Sequence, residues 1–223
     1  MTNPEIFPVT VRSGIRLLML LVLAIIGGCT LDALNPITPV ELAQNDEALY
    51  GVWRATDNEN TMYVHVGPQD TLAKSGDSGF GRVADPHQMH IVIIEHHASG
   101  FTQDNYVAHV SRAGGQRFLN VEAPRQGSDP AGYFFVRYAL TGKNLLRVSL
   151  IEGKALEAMI RSGKIKGVVK DGALPESMIT ADSAEILEFI ERNHASLFAK
   201  PVLLKRVPEE RPQRVTRESK STR

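Results

Sequence analysis

The chain has 223 residues, 43% of them hydrophobic, and its 25 Lys and Arg balance 25 Asp and Glu, so the formal net charge is zero. That length supports one domain with a sizeable core, and the charge balance argues against a nucleic-acid partner. The single cysteine, Cys29, excludes an intrachain disulfide framework, which leaves packing as the source of stability.

Arg12 and Arg16 supply a positive n-region, Leu17 to Ile26 an apolar h-region, and Gly27-Gly28 a small-residue site before Cys29. Only 12 residues lie between Arg16 and Cys29, whereas a membrane-spanning helix needs about 20 apolar residues. The stretch therefore reads as a secretion signal. Ile26-Gly27-Gly28-Cys29 resembles the lipobox of bacterial lipoproteins. The resemblance implies cleavage after Gly28 and a diacylglyceryl group on Cys29, with the membrane as a partner through the acyl chains. One acyl chain binds a membrane marginally, and two or three hold it. Thr30 follows the cysteine, where enterobacterial lipoproteins kept at the inner membrane carry aspartate. The resemblance thus implies the periplasmic side of the cell envelope and the outer membrane rather than the inner. Residues 1–28 are then the signal peptide and 29–48 a tether with Pro36 and Pro39, holding a short helix between Pro39 and Leu49.

Strands follow. Gly51 to Thr56 and Thr61 to Val66 flank the turn Asp57-Asn-Glu-Asn60. In the second, Met62, Val64 and Val66 share a face. Residues 67–88 read as a long glycine- and proline-bearing loop. Met89 to Glu95 is apolar on both faces and is expected to be a central, doubly covered strand. Asn105 to Val110 and Gln116 to Glu122 flank Ala113-Gly-Gly115, and Gly132 to Leu140 and Asn144 to Ile151 flank Thr141-Gly-Lys143, two hairpin signals. Alternation places residues such as Tyr133, Phe134, Phe135 and Tyr138 along the interior, without deciding which parity faces in.

Helices come late. One is expected from Gly153 to Ser162, stopping at Gly163. A second is expected from Ser183 to Asn193, with Asp182 a better cap than Thr180 because Glu185 stands three residues on. Lys200 to Val207 reads as a closing strand. The fold class is mainly β with late helices: an antiparallel meander forming a full or partial barrel, capped by a C-terminal helix and closing strand. The domain spans 49–207, and 208–223 is a basic tail. Lys205 to Arg223 holds seven Lys or Arg against three Glu and reads as a disordered, solvated tail, the alternative being adhesion to acidic lipid headgroups or another anionic surface.

Gly51-Val52-Trp53, at the start of the first strand, resembles the Gly-x-Trp signature of lipocalins and related calycins. The resemblance implies a barrel whose closed end is plugged by Trp53. It also implies a late-strand cation, Arg206 or Lys205, stacked on the indole, a contact worth on the order of 1 kcal/mol.

Six of the seven histidines fall between His65 and His109. His87, His90, His96 and His97 are the candidate metal ligands. Zinc needs three or four donors converging at about 2.0–2.2 Å. On one strand His90 and His96 share a face about 20 Å apart, while His96 and His97 point to opposite faces. Gly76-Asp-Ser-Gly79 resembles the nucleophile tetrapeptide of chymotrypsin-like proteases. However, Phe80 follows where that family has glycine, and His65 lies only 13 residues before Ser78, so a loop tip is the better reading.

With no converging catalytic set, the expectation is a lipid-anchored envelope protein acting as a non-catalytic binding or structural module. It needs no cofactor and no metal, and its partners are an apolar small ligand or an envelope protein. The alternative is a metal-dependent envelope hydrolase using the His87–His97 segment.

Overall fold

The computed structural model describes residues 32–57, 60–69, 85–123, 132–171 and 176–208. Seven strands run as an antiparallel meander: β1 (Gly51–Asp57), β2 (Asn60–Pro68), β3 (Met89–His97), β4 (Gly100–Ala113), β5 (Gln116–Glu122), β6 (Tyr133–Thr141) and β7 (Leu145–Leu150). The chain then leaves the sheet through helix α1 (Gly153–Arg161), a hairpin of β8 (Gly167–Lys170) and β9 (Glu176–Ile179), and helix α2 (Ser183–Leu197). It returns as β10 (Val202–Arg206), which pairs with both β7 and β1 and closes an eight-stranded barrel. The fold is thus mainly β with late helices, a lipocalin-like closed barrel. Closure removes the exposed sheet edges that an open meander would leave. β4 is the longest strand: its Gly100–Ala108 half pairs with β3 and its Ala108–Ala113 half with β5. This stagger is the tilt a closed barrel requires.

Two apolar clusters divide the molecule. Inside the barrel lie Leu49, Trp53, Met89, Ile91, Tyr106, Ala108, Leu119, Tyr138, Leu146 and Leu204, with others of the same strand parity. Outside it, Phe118 and Phe135 pack under Leu156, Ile160, Ile186, Phe189, Ile190 and Leu197 of the helices. Of the aromatic residues assigned to the interior by alternation, Phe134 and Tyr138 face in, whereas Tyr133 and Phe135 face the helical layer. Parity is all-or-none on a strand, so one end of β6 in contact with the helices settles the whole strand.

α2 begins with a complete capping box: the Asp182 carboxylate accepts from Glu185 N at 2.9 Å, and Asp182 N donates to the Glu185 carboxylate at 3.4 Å. Such a cap is worth about 1 kcal/mol. α1 lies directly on the β8–β9 hairpin, and a Cβ at Gly167 would meet Ile160 Cδ1 and Met178 O at 2.7 Å. Only glycine lets the helix approach this closely. Sequence reading missed this hairpin, since its strands have only four residues each.

Three expectations are corrected. The tether assigned to 29–48 is, from Asp32 onward, part of the domain: Ala33, Ile37 and Leu49 are buried, and Ala33 bridges Tyr133 and Ile179. Its prolines read as linker, but the apolar residues between them fill gaps over the barrel wall. The short helix expected at Pro39–Leu49 is two 3-10 turns, Val40–Leu42 and Glu47–Leu49. β3 is central but not doubly covered, because the helical layer packs on β4, β5 and β6. Val92 and Ile94 on its outer face stay half-buried.

Candidate functional site

One end of the barrel is plugged. Trp53 is fully buried, and its indole Nε1 donates to Leu49 O at 2.7 Å. β10 pairs Arg206 with Trp53, and the guanidinium carbon sits 4.0 Å from the indole centroid. Arg206 also donates to the carbonyls of Lys143 at 2.8 Å, Tyr50 and Ala48, which ties the β6–β7 turn and the segment before β1 together over the plug. Gly51 has φ +119°, and a Cβ there would stand 2.7 Å from an Arg206 nitrogen. Two constraints thus call for glycine at this position. Lys205 is exposed and takes no part in the stack. Tyr138 shares the apolar cluster of the indole, and the Asp46 carboxylate accepts from its hydroxyl at 2.9 Å and from Arg117 at 2.8 Å. Burial, with Asp46 alongside, pushes the Tyr138 hydroxyl well above its ordinary range.

Beyond the plug the interior is apolar, and its side chains are less completely covered. Met62, Val64, Ile93, Phe134, Val136, Val148 and Val202 face inward yet remain only half-buried. Side chains in a packed core are covered nearly completely, so the interior beyond the plug is less tightly covered than the plug itself. Toward the mouth of the barrel stands Glu95, on the same parity as Met89, Ile91 and Ile93 and only 7% exposed. One of its oxygens lies 3.6 Å from His97 Nε2, and the other has no partner among the described residues. Burial raises the Glu95 pKa, His97 lowers it and Asp104 raises it further. An apolar barrel interior closed at one end, with one buried carboxyl near the other, has the chemistry to take an apolar group bearing a hydrogen-bond donor or a cation.

The four candidate metal ligands do not converge. His87 is exposed, with Nδ1 2.8 Å from Ala43 O. His90 is buried on the outer side of β3 near the plug, and His97 lies beside Glu95. His96 packs between Tyr63 and Phe101 at the far end of the strand, with ring centroids 5.6 and 6.2 Å away. Among the described residues, no three His, Cys, Asp or Glu form a metal-holding group. The Gly76–Gly79 tetrapeptide, the lipobox with Cys29, and the basic tail from residue 209 lie outside the described residues. No described helix is long and apolar enough to cross a membrane.

Sequence reasoning missed a buried polar clip on the outer wall. Asn120 accepts from Ile37 N at 2.7 Å and donates to Ser111 at 2.7 Å, and Ser111 in turn bonds the Thr38 hydroxyl. His109 Nε2 donates to Thr38 O at 2.9 Å. His109, Ser111 and Asn120 alternate with the apolar residues Ala108, Val110, Leu119 and Val121, and that alternation was the signal available. The clip holds the 32–38 strap against β4 and β5. Desolvation lowers the His109 pKa below its ordinary 6.5, against weaker opposing effects of the Thr38 bond and nearby carboxylates. The unfolded chain therefore takes up a proton that the folded one does not, and the associated stability is lost as pH falls through about 6.5. Wild type is expected to lose urea resistance relative to His109→Gln between pH 8 and pH 5. Parallel midpoints at the two pH values would refute this.

Comparison with known proteins finds no matching family model, no matching curated sequence and no matching solved structure.

Proposed function

We propose that this protein is a lipid-anchored component of the bacterial envelope whose barrel binds an apolar small molecule and performs no chemistry. The observation that carries the reading is the contrast between the two ends of the barrel. Trp53, Leu49 and Tyr138 fill one, whereas Val64, Ile93, Val136 and Val148, of inward parity, keep part of their apolar surface uncovered. Uncovered apolar surface forgoes dispersion contacts, and an apolar ligand restores them. The free oxygen of Glu95 gives that ligand one polar anchor. The lipobox at Cys29 supports the envelope address. No grouping among the described residues favours the hydrolase alternative.

The test is native mass spectrometry of the full chain extracted from membranes in mild detergent. Wild type is expected to carry a copurifying small molecule. Val136→Trp, which projects an indole into the barrel interior, is expected to lose it while keeping the far-ultraviolet circular dichroism of the folded barrel. An empty wild type in several extraction conditions would sink ligand carriage and leave a structural role.

A further inference from the structure

We propose that the mouth of the barrel lies against the phospholipid bilayer, with the tip of the β3–β4 hairpin placing Phe101 among the lipid headgroups. The inference rests on the lipidation of Cys29 proposed above and adds an orientation to it. The leash is the first argument. Asp32 is pinned to the wall: its N–H donates to Tyr133 O at 3.0 Å, its carboxylate accepts from Phe135 N at 2.7 Å, and its carbonyl accepts from Ile179 N at 2.8 Å. Tyr133 opens β6, which runs from the mouth to the plug at Tyr138 and Thr141. Three residue steps separate Cys29 from Asp32, so covalent geometry keeps their Cα atoms within about 11 Å of each other. From Tyr133 to Thr141 the strand covers about 26 Å at 3.3 Å per residue. Even with a 35–45° tilt, that exceeds what the leash can span. Acyl chains on Cys29 therefore enter the membrane at the mouth end, and the plug cannot be the end that rests on it.

The rim supplies the second argument. The β3–β4 hairpin is at this same end, because β3 runs outward from Met89 near the plug to His97. From His96 to Gln103 it carries no Lys, Arg, Asp or Glu. Phe101 is 67% exposed, the second most exposed large apolar side chain described, and its ring rests on His96, which rests on Tyr63. An uncharged tip with a supported, projecting aromatic is poorly suited to water and well suited to a headgroup layer. The barrel interior then opens toward the lipid, so an apolar ligand exchanges with the bilayer without crossing water.

The test uses the full lipidated chain in phosphatidylethanolamine/phosphatidylglycerol vesicles with brominated acyl chains. Trp53 is the only native tryptophan and is buried in the plug, so it gives a constant background. In Phe101→Trp, the added emission is expected to be blue-shifted and largely quenched by the brominated lipid. In Lys143→Trp, at the β6–β7 turn beside the plug, it is expected to stay unquenched. Vesicle flotation is read on the same samples. Protein that floats with the Phe101→Trp emission unquenched would overturn the orientation and leave the anchorage intact. Protein of wild-type sequence that fails to float and carries no acyl mass would overturn both.

Discussion

Replacing Trp53 by alanine is expected to lower the stability of the domain by about 3–5 kcal/mol, the range for removing a large buried aromatic. That is a large share of the roughly 5–15 kcal/mol available to a folded protein. The loss exceeds that of an ordinary core residue because the indole also supports Arg206, whose guanidinium holds the carbonyls of Ala48, Tyr50 and Lys143. Gly51→Ala is expected to act through the same group, since its Cβ would displace the Arg206 guanidinium. Urea unfolding followed by circular dichroism checks both. The cycle of Gly51→Ala with Arg206→Ala should be strongly non-additive. A cost below about 1 kcal/mol for Trp53→Ala would mean that the plug does not hold the barrel closed.

Cys29→Ala is expected to abolish acylation and, wherever residues 1–28 are still removed, membrane association. In a bacterial host, wild type should carry a diacylglyceryl mass and sediment with membranes, while the variant should be unprocessed or soluble. The effect is large because two acyl chains hold firmly where a single chain binds marginally, and no described helix can span the bilayer in their place. Membrane-bound variant and wild type of equal, unacylated mass would remove the anchor from the account.

Much of the architecture was legible from local patterns. Turn signals at Ala113-Gly-Gly115 and Thr141-Gly-Lys143 delimit two hairpins that the structure contains. Asp182 and Glu185, three residues apart, mark the start of a helix whose capping box is complete. Gly163, with φ +71°, follows the last turn of α1. These signals survive because they act within a few residues, where backbone sterics and one or two hydrogen bonds decide the conformation. The prolines of 29–48 misled for the converse reason: a proline-bearing stretch has no periodicity whether it is free or packed, and only the barrel wall beneath Ala33 and Ile37 distinguishes the two.

The candidate site was less legible. Alternation showed that Glu95 shares a face with Ile91 and Ile93, but an antiparallel strand reads the same whichever face is inside. Contact of Phe118 and Phe135 with the helices fixes the outer face, and pairing from β5 through β4 to β3 then turns Glu95 inward. The histidines were conspicuous in the sequence because they cluster along the chain, and the barrel separates them because each step along a strand reverses the side chain and advances it by about 3.3 Å. The sequence alone determined the strand meander, the late helices, the single cysteine behind an apolar stretch and the glycine-tryptophan pair opening the first strand, all of them short-range features. Barrel closure by β10, the packed strap, the buried clip and the inward carboxyl of Glu95 were decided by tertiary structure. They depend on contacts between residues tens to more than a hundred positions apart, whose pairing is set by which surfaces exclude water together.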